Sequence, residues 1–103
     1  MAKVTWTHAA LDDLDEIAEY IALDKISAAK KLVQRVFSRV ELLLDSPESG
    51  RVPPELKNKN YREVIVGPGR IFYRVIDKEG VILYVMRSER NLRKYILEER
   101  KGN

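Results

Sequence analysis

The hydrophobic period changes twice along the chain. Residues 2–7, AKVTWT, set Val4 and Trp6 among small or polar neighbours and carry β-branched side chains, which predicts a strand. From Ala9 the period lengthens. Leu11, Leu14, Ile17, Ala18 and Ile21 recur at three- and four-residue spacing, predicting an amphipathic helix to about Leu23 with Thr7 as its cap. Ala29, Leu32, Val33, Val36, Phe37, Val40, Leu43 and Leu44 form a second helical stripe. Ser27 is the candidate N-cap of that helix, which should end near Asp45 because Pro47 disfavours helical geometry at Ser46. The short link DKI makes the two helices an antiparallel pair.

Residues 46–60, SPESGRVPPELKNKN, hold three of the four prolines and read as loop. The period then shortens to that of strands. Three β-rich runs at 61–66, 70–76 and 81–86 are joined by GPG and DKEG, both suited to hairpin turns. The order βααβββ predicts an α+β fold: an antiparallel sheet with a two-helix hairpin packed on one face and the opposite face left available. Beyond Met86, RSERNLRKYILEERKGN predicts a short, highly charged C-terminal helix or tail, loosely held by Leu92, Ile96 and Tyr95.

Composition narrows the chemistry. A chain of 103 residues, 45% hydrophobic and 34% charged, is expected to form one domain over 1–103. The lack of cysteine excludes disulfides, a thiolate nucleophile, Cys-based zinc sites and iron–sulfur clusters. The N-terminus MAKVTW has no apolar signal core, and no apolar run approaches the roughly 20 residues that span a bilayer, so a soluble, cytoplasmic protein without membrane contact is expected. Net charge is +3, with the acids Asp12, Asp13, Asp15, Glu16 and Glu19 gathered early and basic residues later.

The late basic residues have an unusual setting. Arg62, Arg70, Arg74, Arg87 and Arg90 fall in or beside the three C-terminal strands, where a guanidinium must be solvated, paired or aimed at an anion. Two readings stand. The sheet could offer an open basic face to nucleic acid or to the carboxylates of a protein partner. Equally, these are ordinary arginines on a solvated face, with Glu63, Asp77, Glu79 and Glu89 as neighbours. Other chemistry finds little support: the helix-one acids spread around their helix rather than forming a metal site, and GPG is too short for a phosphate loop. His8, the only histidine, reads as a cap or surface residue. No cofactor or metal is called for, and no enzyme is required.

Four segments, WTHAALDDLDEIAEYI, SPESGRVPPEL, YREVIVGPGRIFYRV and VILYVMRSER, in this order and spacing, resemble the RelE/ParE toxin superfamily of bacterial type II toxin–antitoxin modules. The similarity runs from about Val4 to Arg90. It implies a growth-inhibiting toxin neutralised by a cognate antitoxin protein, in the manner of plasmid-stabilising modules. Two activities occur on this fold, and fold alone does not choose between them. ParE-like members poison DNA gyrase and block replication; RelE-like members are endoribonucleases that cut mRNA on the ribosome.

On the nuclease reading, resemblance places Arg62, Arg70 and Arg87 as phosphate-holding catalytic residues. The pattern departs from that branch at Val64, where it carries a second lysine. On the gyrase reading, Arg87, Arg90, Arg93, Lys94 and Tyr95 become the target-binding residues, and no acid–base set is demanded. The gyrase reading is the better fit. Gly69, where the family often has a bulkier residue, marks either a lost contact or a tighter turn.

Overall fold

A computed structural model describes residues 3–57 and 60–87; the expected C-terminal helix or tail lies outside them. Strand β1 (Lys3–Trp6) gives way at once to helix α1 (His8–Ala22), and Thr7 makes the join. Its Oγ1 accepts from the Ala10 amide at 3.1 Å, as a cap should, and donates to the Ile82 carbonyl at 2.9 Å. One hydroxyl thus starts the helix and ties it to the sheet.

Helix α2 (Ile26–Glu41) begins one residue before Ser27. Ser27 is therefore not its cap. The Lys25 amide still bonds back to Ile21 O at 2.9 Å, so the connection closes too tightly for a cap further along. At the other end the chain tightens into a 3-10 turn, Leu42–Leu44, before Pro47. That change of pitch buries Leu43 and leaves Leu44 exposed, although the sequence stripe included both.

The remaining strands, β2 (Arg62–Val66), β3 (Gly69–Ile76) and β4 (Glu79–Arg87), lie close to their predicted positions. Strand order is β1-β4-β3-β2. The three C-terminal strands are antiparallel neighbours, as expected, whereas β1 runs parallel to β4. The helical hairpin supplies the long crossover that a parallel pair needs. Asp77 and Lys78 make the β3–β4 turn, both at positive φ (51° and 67°), the mirror-image geometry that suits the twist of a hairpin.

β3 and β4 also contain one irregularity that the alternation of the sequence hides. Phe72 is opposite Tyr84 but Tyr73 is opposite Ile82, leaving Leu83 as an extra residue on β4. Leu83 and Tyr84 consequently pack with the same cluster, while Ile82 and Val85 pack with the helices.

On the helix side, Leu14, Ile17, Leu32, Val36, Val40 and Leu43 meet Val64, Ile71, Tyr73, Ile82 and Val85 in one buried cluster. Asp13 anchors it in a different way. β1 stops opposite Ile82, and beyond that point the Val85 amide donates to the Asp13 carboxylate at 3.1 Å.

The other side of the sheet is not the open face that the pattern suggested. Leu56, from a 3-10 turn at Pro54–Leu56, and Tyr61 close over Phe72, Val81, Leu83 and Tyr84 to form a second buried cluster. The proline-rich segment is a cover. Pro47, Pro53 and Pro54 lower the conformational freedom it must give up to lie there.

Candidate partner- and target-binding surface

Alternation along the strands sends the arginines to different places. Arg62 faces the helix side, opposite Tyr73, and its Nη1 donates to the backbone carbonyls of Glu48 at 3.1 Å and Gly50 at 2.9 Å. It fastens the covering loop to the edge strand. Arg51, next to Gly50, makes a paired backbone bridge with Glu63 (3.0 and 2.8 Å), adding a short piece of ladder at the same edge. Tyr73 Oη accepts from the Gly50 amide at 2.8 Å, and burial raises the pKa of this hydroxyl above the ordinary phenol value. A side chain at position 50 would overlap it. A Cβ there would lie 2.7 Å from Tyr73 Cε1 and 2.8 Å from Glu63 O, so glycine is needed for close approach rather than for its φ.

Arg70 points to the opposite side and is only 8% exposed. Each of its three guanidinium nitrogens donates to a carboxylate. One edge, Nε and Nη2, grips Glu63 at 2.8 and 3.0 Å; the other, Nη1 and Nη2, grips Glu55 at 2.9 and 3.1 Å. The Glu63 side chain, 0% exposed, also receives Arg51 Nε at 2.9 Å. Donating hydrogen bonds to Glu55 and Glu63 holds Arg70 even more firmly protonated than usual, and the bond from Arg70 pulls the Glu55 carboxyl below its ordinary value. Two cations and two anions close on themselves here.

Arg74 shares this side and lies over the Tyr61 ring at 4.3 Å. Its buried Nε has no hydrogen-bond partner among the described residues. Arg87 returns to the helix side, with its guanidinium 4.3 Å from the centre of the Tyr20 ring. Tyr20 lies on the exposed outer part of α1, so Arg87 marks the boundary between sheet and hairpin.

The structure therefore does not bring Arg62, Arg70 and Arg87 together. Arg62 and Arg87 are opposite Tyr73 and Gly69, four residues apart along β3 and two strands apart across it, so their backbones are separated by roughly 16 Å. Arg70 lies between them but on the reverse side. Arg90, Arg93, Lys94 and Tyr95 fall outside the described residues. No group of three or more His, Cys, Asp or Glu among the described residues is placed to hold a metal, and His8 is exposed at the first turn of α1.

A family model described as the ParE toxin of the type II toxin–antitoxin system parDE matches residues 4–92. The chain belongs to the ParE toxin family. Among relatives of this ParE-family toxin, "Putative toxin Y4kP" of Sinorhizobium fredii is 39% identical over 88 residues, covering 84% of this chain and 88% of its own. "Toxin RelE2" of Caulobacter vibrioides is 36% identical over 78 residues, covering 75% of this chain and 84% of its own. Among solved structures, one titled as the chromosomal ParDE system from P. aeruginosa superposes with a TM-score of 0.72 at 30% identity, covering 86% of this chain and 98% of that one. The α+β fold and the superfamily expected from sequence are those found, and membership of a toxin–antitoxin module implies an antitoxin partner.

Sequence reasoning missed Gly50, Arg51, Glu55 and Glu63 as a set. The signal was present in part: Glu63 stands on a strand whose alternate positions are buried, and a carboxylate there needs a cation. Its partners come from a loop and a neighbouring strand, positions that no period links.

Proposed function

We propose that this ParE-family toxin inhibits DNA gyrase and thereby replication, and is held inactive by its cognate antitoxin. The observation that carries this reading is the engagement of Arg70. Metal-free RNA cleavage needs cationic donors free to hold the scissile phosphate, along with a group to move protons. Here both donor edges of Arg70 are taken by carboxylates, Glu63 brings negative charge to the same spot, and Arg62 and Arg87 are directed elsewhere. A gyrase inhibitor acts by binding and requires no such set. Arg87, with Arg90, Arg93, Lys94 and Tyr95 following it, supplies the cationic contact with the gyrase complex. Such a target places the protein's action in the cytoplasm, and loss of the antitoxin after plasmid loss would release it.

The RelE-like alternative draws on the name of the Caulobacter relative and would use Arg62, Arg70 and Arg87 on mRNA at the ribosome. The test is induction in bacteria with thymidine and methionine incorporation followed over the first minutes, paired with supercoiling by purified gyrase. Early arrest of DNA synthesis and inhibited supercoiling are expected. Early arrest of protein synthesis with gyrase unaffected would overturn the gyrase reading in favour of RNA cleavage.

A further inference from the structure

Away from the arginines, the outer side of the helical hairpin carries an apolar groove of about 460 Å³ between α1 and α2. Ala18, Ala22, Ala29 and Val33 are among its lining residues. Ile26, which also lines it, is 64% exposed, and Leu23, at the tip of the hairpin, is 87% exposed. Leucine and isoleucine exposed to that degree next to an apolar groove form a patch that water disfavours.

Charge selects the occupant. Glu19 lines the groove from α1 and Lys30 from α2, and neither takes part in an ion pair among the described residues. Along α1 the acidic side continues through Glu16 and Asp12 at helical spacing, whereas Lys31 follows Lys30 on α2. A partner of one sign would satisfy one rim and oppose the other. A second copy of this chain satisfies both, because a two-fold axis along the groove sets each Glu19 beside the partner's Lys30 and brings the two apolar hairpin tips together.

We propose that two copies of this toxin associate groove to groove through their helical hairpins. The interface is isologous and leaves the sheet faces outside it. Chain made by cell-free synthesis, loaded at about 100 µM to populate a complex of micromolar Kd, is expected to sediment at twice the 11.9 kDa monomer mass. Replacing the exposed pair, Leu23→Asp with Ile26→Asp, should give a folded monomer that melts with wild type diluted below its Kd. Glu19→Lys alone should weaken association roughly tenfold through its two symmetric contacts, and adding Lys30→Glu should restore it. A monomeric wild-type chain overturns the proposal. So does a dimer that survives the double aspartate replacement, or one indifferent to charge reversal. None of these readings depends on toxicity, so the outcome is independent of the gyrase assignment.

Discussion

On the helix side of the sheet, Ile71, Tyr73, Ile82 and Val85 meet an aliphatic wall supplied by two amphipathic helices. On the other side, Phe72, Leu83 and Tyr84 are covered by Leu56 and Tyr61, in and just beyond a loop fastened through Arg51, Glu55, Glu63 and Arg70. The first arrangement is non-directional: it depends on shape and area, and tolerates exchange among side chains of similar volume. The second depends on direction. A buried ion network contributes only while every member has its partner, and an orphaned charge costs more than the intact network gains. The same sheet is thus closed by a forgiving device on one side and an exacting one on the other.

The largest effect should come from separating partners in the exacting device. Glu63→Ala leaves the buried Arg70 with half of its hydrogen bonds and is expected to lower stability by about 3–5 kcal/mol. Replacing both, Glu63→Leu with Arg70→Met, should recover most of that loss, since the charges then leave together. Urea denaturation of the three proteins gives the measurement, and a double replacement no better than Glu63→Ala would refute the network account. On the helix side, Leu43→Ala removes a fully buried side chain and is expected to cost about 2–4 kcal/mol, with no second substitution able to rescue it by charge.

That contrast also explains what could be read in advance. The hairpin, its Thr7 cap and the three C-terminal strands follow from periods of 3.6 and 2, which local sequence displays. The parallel pairing of β1 is not a local property. Neither is the extra residue Leu83, which reverses the alternation of β4 part-way along its length. The second core escaped notice for the same reason: it relies on a loop whose only periodic signal is its prolines, and on ion pairs between residues 7 to 15 positions apart. The five arginines were visible as a question, whether paired or aimed outward. For Arg70 the partners decide it.

Gly50 lies where the two devices touch, because it packs on Tyr73 of the first core while its neighbour Arg51 reaches the network of the second. Gly50→Ala is expected to cost about 1–3 kcal/mol by overpacking against Tyr73 and the Glu63 carbonyl. Adding Tyr73→Phe removes the oxygen nearest the new methyl group and should recover part of the loss. Equal stability of the single and double variants in urea melts would place the clash on the ring carbon and the Glu63 carbonyl rather than on the hydroxyl.

The smallest effect distinguishes the faces by pH. Arg70 lowers the folded-state pKa of Glu55 below its unfolded value, so the folded state holds this proton less tightly than the unfolded chain does. The stabilisation is complete above the unfolded carboxyl range and is lost as pH falls through it toward the lower folded value. With the Glu55 side chain 39% exposed, solvent screening limits the contribution to less than about 1 kcal/mol. The urea midpoint of wild type should therefore exceed that of Glu55→Gln at pH 7, and the gap should close as pH drops below about 4.5, the ordinary glutamate value. Leu43→Ala, measured alongside, should differ from wild type by the same amount at every pH where both fold, because no proton is linked to the packing it disturbs. If the Glu55→Gln gap also stays constant with pH, the loop is held by Leu56 and Tyr61 rather than by charge, and the two faces differ less than their contacts suggest.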